Sequence, residues 1–179
     1  MKTQIAVLLG LAVAVCAQAA ELRPRSGFSV SASLGVNQAT GPGARSGAGV
    51  SATGDYSPTP WFTLGLTSGY SAPSTDSSGE FHDTTAYLDG FAQLSVQLRD
   101  WRPLIQIGSG HYTFRSNDTS GGFVGLGIEV PAGRSWFVPL TVRYHKVHTA
   151  AGYDPDFIEW RIGIARTFQK LLERTRSDA

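Results

Sequence analysis

Two stretches near the end of the chain decide its fold: WFVPLTVRYH, residues 136–145, and IEWRIGIARTF, residues 158–168. In both stretches the even-numbered positions are mostly apolar, whereas the odd-numbered positions are largely polar, charged or small. Successive side chains of a β-strand point to opposite faces of the sheet, so each stretch is predicted to be a strand with one apolar and one polar face. Features from the rest of the sequence are needed to establish whether the apolar faces contact a protein core or lipid.

The same alternation recurs along the chain and predicts eight β-strands. It is clearest at residues 27–37, where Val30, Leu34 and Val36 alternate with serines and a glycine. At residues 103–116 the apolar positions change phase, which predicts a β-bulge at residues 108–110. The predicted strands cover residues 27–37, 46–56, 61–71, 84–98, 103–116, 121–131, 136–147 and 158–168.

The connections between these strands fall into two sets that alternate along the chain. One set consists of short turns at residues 57–60, 99–102 and 132–135. The other set is longer on average and mostly rich in Gly, Ser or Asp, at residues 38–45, 72–83, 117–120 and 148–157. Strands of about ten residues are long enough to cross a bilayer when tilted. Short turns at one rim and longer loops at the other are typical of outer-membrane barrels.

The N-terminal segment, residues 1–19, is predicted to be a signal peptide. It has a basic start at Lys2, an apolar run over residues 5–15 that is too short to span a bilayer, and small residues before a cleavage site after Ala19. Cleavage after Ala20 is an alternative, and so is a lipoprotein acylated at Cys16, although Val15 is bulkier than such sites favour. Cys16 is the only cysteine, so the mature chain has no disulfide framework.

Two features favour lipid over a protein core on the apolar faces. Three of the four tryptophans, Trp61, Trp101 and Trp136, lie at the short-turn end, as in an aromatic girdle at a membrane interface. The alternative is that they cap the end of a soluble barrel. The polar faces are mostly Ser, Thr and Gly, which suit a narrow lumen, whereas a face in contact with water would be rich in Lys and Glu.

The predicted fold class is therefore all-β: an eight-stranded antiparallel up-and-down transmembrane β-barrel. The barrel domain covers residues 20–168, and residues 169–179 form a charged C-terminal tail. The formal net charge of +1 gives no electrostatic argument for a nucleic-acid partner. His82 and His111 lack the spacing of metal ligands, so neither a metal site nor a cofactor is predicted.

These features resemble the small outer-membrane β-barrel superfamily of Gram-negative bacteria, which includes OmpA-like and OmpW-like barrels. The resemblance covers residues 27–168 and rests on the leader, the two-residue repeat, Arg102-Pro103 opening a Gly-rich fifth strand, and a last strand that closes at Phe168. It implies export through the periplasm to the cell outer membrane, with the N-terminus periplasmic. In that class the closing aromatic is commonly the final residue, whereas here eleven residues follow Phe168.

The resemblance also implies partners and a role. The expected partners are outer-membrane lipid, lipopolysaccharide and the barrel-insertion machinery, and we expect a monomer. The expected role is structural, adhesive or in envelope maintenance, with at most a narrow pore.

Charged residues on the polar faces are predicted to form a network that plugs the lumen. Unpaired charge is costly in such a tube, so acids and arginines are expected to pair there. Arg143 and Glu159, on adjacent strands, are the predicted pair. The predicted network comprises Asp55, Asp89, Glu129, Arg143, Glu159 and Arg161.

Residues 143–150 resemble the motif of the outer-membrane lipid A 3-O-deacylases, in which a Ser follows the catalytic His by two residues. In this alternative His145 is the base and Glu159 orients it. The nucleophile position is Val147, which has no hydroxyl, and Thr149 is one residue after His148, so it would point to the opposite face from that histidine. A barrel hydrolase is therefore the second hypothesis, and a soluble periplasmic lipocalin-like carrier is the third.

Overall fold

The computed structural model describes residues 26–40, 46–71, 85–98, 100–114, 117–148 and 156–168. The predicted signal peptide and C-terminal tail lie outside the described residues. Each strand pairs antiparallel with its neighbour in the chain, and β8 pairs with β1, which closes the barrel. This confirms the predicted architecture. The strands are β1 Gly27–Ala39, β2 Ser46–Thr59, β3 Phe62–Ser71, β4 Thr85–Ser95, β5 Arg102–Phe114, β6 Asn117–Pro131, β7 Trp136–His148 and β8 Phe157–Phe168.

The connections define two rims. The turn rim holds residues 60–61, 96–101 and 132–135, together with the start of β1 and the end of β8. The loop rim is the opposite end, where β1, β3, β5 and β7 end and β2, β4, β6 and β8 begin. No helix in the described part of the chain has the length and apolar character needed to cross a membrane.

Several predicted strand ends are wrong, and the largest error lies at the loop rim. Residues 117–120 form the start of β6, not a loop, and pair in register with residues 111–114 of β5. The Thr113 hydroxyl donates a hydrogen bond to Asp118 across this pair, at 2.8 Å. The polar composition that favours a loop is thus compatible here with a cross-strand pair.

At the turn rim, two predicted turns are also displaced. β2 continues to Thr59 through a register shift after Tyr56, and the turn is residues 60–61. Arg102, predicted to lie in a turn, is the first residue of β5, and residues 96–98, predicted as strand, belong to the connection.

The predicted bulge at residues 108–110 is wrong. β5 pairs with β4 and with β6 in one unbroken register. Leu104 and Tyr112 both lie on the inner face, and Gly108 and Gly110 between them are inner positions without side chains. The apparent change of phase arises from these glycines. Because a glycine has no side chain, the alternation of residue types does not show which face its position occupies.

The apolar face of the barrel points outward. Leu64, Leu94 and Leu126 are 50%, 51% and 65% exposed, which is far too much for a protein core. A continuous apolar belt of this kind requires lipid. A soluble lipocalin-like carrier would have the opposite arrangement, with polar residues outside, so the third hypothesis is wrong.

Aromatic side chains lie at both ends of this outer belt. Trp61, Trp101 and Trp136 are exposed at the turn rim, where the sequence placed them. Further exposed aromatics accompany them: Phe28, Tyr56 and Phe168 at the turn rim, and Tyr70, Tyr144 and Trp160 towards the loop rim. Two aromatic bands separated by aliphatic residues match the two interfaces of a bilayer.

The lumen is unevenly filled. β1, β2 and β3 contribute mainly Ser, Thr and Gly to it, whereas β4 to β8 contribute nearly all the rings and charges. Several large rings lie over a glycine that is their partner on the next strand: Tyr87 over Gly69, Phe91 over Gly65 and Phe123 over Gly108. These glycines provide the space that lets a narrow barrel hold aromatic side chains.

Candidate functional site: the charged lumen

One cluster of buried, inward-facing side chains fills the part of the lumen next to β4, β5, β7 and β8, on the loop-rim side. We call it the plug; it comprises Tyr87, Tyr112, His145, Phe157, Glu159 and Arg161, from β4, β5, β7 and β8. Arg161 forms an ion pair with Glu159 and donates a hydrogen bond to the Tyr87 hydroxyl, at 2.8 Å. Tyr87 in turn donates to Glu159, at 2.7 Å. Every member of this triangle is therefore held by the two others.

His145 joins the two halves of the plug. Its Nε2 lies 3.2 Å from Glu159 Oε2, and its Nδ1 lies 2.8 Å from the Tyr112 hydroxyl. Because a carboxylate only accepts, Nε2 donates to Glu159, and Nδ1 is hydrogen-bonded to the Tyr112 hydroxyl. The ring also stacks on Phe157, with centroids 4.3 Å apart. His145 is thus fixed on both edges and on one face.

A second cluster runs from the plug towards the turn rim as a chain of hydrogen bonds. Arg143 donates to Gln106 at 2.8 Å, and Gln106 donates to Gln93 at 2.7 Å. Gln93 donates to Glu129 at 3.5 Å, and Glu129 forms an ion pair with Arg102 at 3.2 Å. All five side chains are buried. The lumen therefore contains a polar core that starts beside the plug and ends near the turn rim.

The structure places the predicted network residues inside the barrel but pairs them differently. Arg143 and Glu159 are cross-strand partners in the register, as predicted, yet Glu159 forms its ion pair with Arg161. The Arg143 guanidinium lies over the Phe123 ring, 4.4 Å from its centroid, and bonds to Gln106. The predicted Arg143–Glu159 ion pair is wrong, because the Glu159 carboxylate is paired with Arg161 of the same strand.

The remaining predicted network residues are also buried in the lumen. Asp89 is fully buried beside the plug, with Oδ2 3.9 Å from His145 Nδ1. Glu129 belongs to the polar chain, and Asp55 is buried opposite Ser29 of β1.

Sequence reasoning missed the residues that connect the charged groups. Tyr87, Tyr112, Gln93 and Gln106 are neutral side chains that link the charged groups of the lumen through hydrogen bonds. Their inward positions in β4 and β5 were a usable signal, because every second residue of a strand faces the lumen.

The geometry does not favour the lipid A hydrolase. The structure brings His145 and Glu159 together, but both lie inside the closed barrel and His145 has no exposed surface. Val147, at the nucleophile position, is also fully buried, and Thr149 lies outside the described residues. A base enclosed in this way cannot reach an ester of a lipid outside the barrel wall.

Within the described ranges, no group of three or more His, Cys, Asp or Glu side chains could hold a metal ion. His111 lies on the exterior, 3.5 Å from Asp118, and His82 falls outside the described residues.

A polar tie at the loop rim connects β7 with the start of β8. Asp156 accepts hydrogen bonds from the Tyr144 hydroxyl at 2.7 Å, the Val147 amide at 3.1 Å and Lys146 at 3.3 Å. Burial alone would raise the pKa of Asp156, but these hydrogen bonds outweigh it and hold the pKa below its ordinary value. The tie therefore persists over the neutral range and is lost only as the pH falls through this lowered pKa.

A closed antiparallel barrel with an apolar exterior, two aromatic bands and a polar, charged interior defines the class of transmembrane β-barrels. The family comparison agrees with this geometry. The chain belongs to the outer membrane protein beta-barrel domain family, whose model matches residues 5–168. It is an outer-membrane barrel protein.

Solved structures with a similar fold are small outer-membrane proteins. Neisserial surface protein A has a TM-score of 0.67 and 15% identity, covering 82% of this chain and 100% of that chain. OprG from Pseudomonas aeruginosa has a TM-score of 0.58 and 12% identity, covering 82% and 98%. Ail from Yersinia pestis has a TM-score of 0.54 and 13% identity, covering 80% and 99%. No curated protein sequence matches the chain significantly.

Proposed function

We propose that the chain is a non-conducting outer-membrane barrel with a structural, adhesive or envelope-maintenance role. The observation that supports this is the buried plug. Tyr112 and His145 have no accessible surface, so no water-sized space adjoins them in the described part of the barrel. An ion passing through this part of the lumen would have to break the Tyr87–Glu159–Arg161 triangle, and buried ion pairs are costly to break.

We further propose how the barrel lies in the envelope. The turn rim faces the periplasm, and the loop rim, which holds the longer connections at 72–84 and 149–156, faces the exterior. Removal of residues 1–19, export through the periplasm and insertion by the barrel-insertion machinery precede this state. The protein acts as a monomer in contact with phospholipid and lipopolysaccharide, and any adhesive contacts are made by the loop rim, where recognition in such barrels resides.

Planar-bilayer recording of the purified mature protein tests the proposal. Wild type is expected to give no steady conductance steps, because the plug blocks the lumen. The double variant Tyr112→Ala and Phe157→Ala removes two rings of the plug and is expected to give small ohmic steps. Tyr144→Ala, an outward-facing change in β7, is the matched control and is expected to stay silent.

Two readouts make this experiment decisive. The shift in gel mobility on heating shows that each variant is a folded barrel, and the intact mass shows whether the mature chain begins at Ala20. Steady steps from wild type, similar to those of the double variant, would contradict the proposed closed lumen.

A further inference from the structure

A cation, Arg166, lies on the outer surface of the barrel near the turn rim. Arg166 belongs to β8, where the outward positions before and after it are Ile164 and Phe168. It is exposed, and its cross-strand partner is Trp136, the first residue of β7. Arg166 therefore lies at the turn rim, at the level of the aromatic band.

Two aromatic rings hold the Arg166 side chain. The guanidinium carbon is 5.4 Å from the centroid of Trp136 and 5.1 Å from the centroid of Phe168. Phe168 is itself in contact with Phe28 of β1, at 6.4 Å between centroids. We call Arg166, Trp136 and Phe168 the rim clamp. It spans β7 and β8, and its contact with Phe28 extends across the seam that closes the barrel.

The clamp leaves the hydrogen-bond donors of the guanidinium free. A cation–π contact uses the flat face of the group, whereas its five N–H donors point outward in its plane. Among the residues that the structure describes, none accepts a hydrogen bond from Arg166 or forms an ion pair with it. The rings thus orientate the guanidinium, and no described residue binds its N–H donors.

The depth of the clamp identifies the group that could occupy it. A charge on the lipid face is costly at the bilayer midplane and cheap at the interface, where aromatic bands lie beside the lipid headgroups. The abundant anion at this depth is the phosphate of a phospholipid headgroup. A planar guanidinium binds two phosphate oxygens at once, so the shapes and the charges are complementary.

We propose that the rim clamp is a binding site for the headgroup phosphate of an anionic phospholipid in the leaflet at the turn rim. Arg166 binds the phosphate oxygens, and Trp136 and Phe168 orientate the guanidinium and contact the upper acyl chains. The assignment of this leaflet to the periplasmic side rests on the proposed orientation. The lipid contact itself needs only the membrane-spanning fold.

Fluorescence of Trp136 offers a direct test. In a background with Trp61→Phe, Trp101→Phe and Trp160→Phe, Trp136 is the only tryptophan. The barrel is inserted into vesicles that contain either brominated phosphatidylglycerol or brominated phosphatidylcholine, and the quenching of Trp136 gives the relative affinity of the two lipids. With Arg166 present, phosphatidylglycerol is expected to be favoured about fivefold, as for one basic residue near a membrane surface.

The variants distinguish binding at the rim clamp from attraction of the lipid by general surface charge. Arg166→Gln is expected to abolish the preference for phosphatidylglycerol, and Arg166→Lys to keep part of it. Arg134→Gln removes an exposed charge from the neighbouring turn at the same rim and is expected to leave the preference unchanged. The proposal would be overturned if Arg166→Gln kept the full preference, or if Arg134→Gln lowered it as much as Arg166→Gln does.

Two further measurements complete the design. Addition of inorganic phosphate at constant ionic strength is expected to leave the preference for phosphatidylglycerol unchanged. Loss of this preference would show that the clamp binds free phosphate and would overturn the lipid assignment. Quenching by brominated phosphatidylcholine in every variant reports insertion in the bilayer independently of headgroup preference. The bilayer recordings are separate as well, so failure of this inference is distinguishable from failure of the proposed closed lumen.

Discussion

At the scale of single residues, the inward glycines decide whether the lumen can hold its rings. A Cβ atom at Gly69 would overlap the ring of Tyr87, whereas a Cβ at Gly90, which faces outward on β4, would be 3.7 Å from its nearest neighbour. The two glycines thus differ in the space available to a side chain. Only the first lies under a member of the plug.

Gly69→Ala is expected to destabilise the barrel by about 1–3 kcal/mol, because Tyr87 must move away from Glu159 and Arg161 to admit the methyl group. Gly90→Ala is the control and is expected to change the stability little. Urea unfolding of both variants in phospholipid vesicles gives the two free energies. Equal stabilities for the two variants would show that Tyr87 does not pack on Gly69.

At the scale of the elements, the alternation of residue types predicts the inner and outer faces of the strands, and the structure confirms it. The alternation could not predict which side chains meet across the lumen, because the stagger of the strands brings together residues distant in sequence, such as Tyr87 and Glu159. It also could not locate the start of β6, where polar residues pair in a strand as readily as they form a loop.

The seam between β1 and β8 gives a test of the register. Ser31 and Ala165 are direct partners there, both on the inner face, whereas Thr167 is the partner of Ser29. The pair Ser31→Cys and Ala165→Cys is expected to form a disulfide in the folded barrel, because direct partners lie about 4.5–5.5 Å apart. The readout is the mass of peptides from a non-reduced digest.

The matched control is Ser31→Cys with Thr167→Cys, a diagonal pair about 7–8 Å apart, which is expected to remain reduced. Cross-linking of the control in preference to the first pair would mean that the seam is shifted by two residues.

At the scale of the whole molecule, the free-energy cost of a charge on the apolar belt is expected to depend on its depth in the bilayer. Leu126 faces outward near the middle of β6 and is the most exposed of the large apolar side chains that the structure describes. Leu126→Arg is expected to cost about 2–4 kcal/mol relative to Leu126→Ala in a phospholipid bilayer, because it places a charge near the midplane. Unfolding titrations of both variants in vesicles measure this difference, and its absence would contradict a lipid-facing position.

The uneven filling of the lumen bears on how the barrel assembles. β1 to β3 offer the interior little beyond hydroxyls and glycines, so side-chain packing cannot hold them in place until the bulky second half of the chain is present. The interior therefore acquires its fixed side-chain packing only when the C-terminal strands are in place.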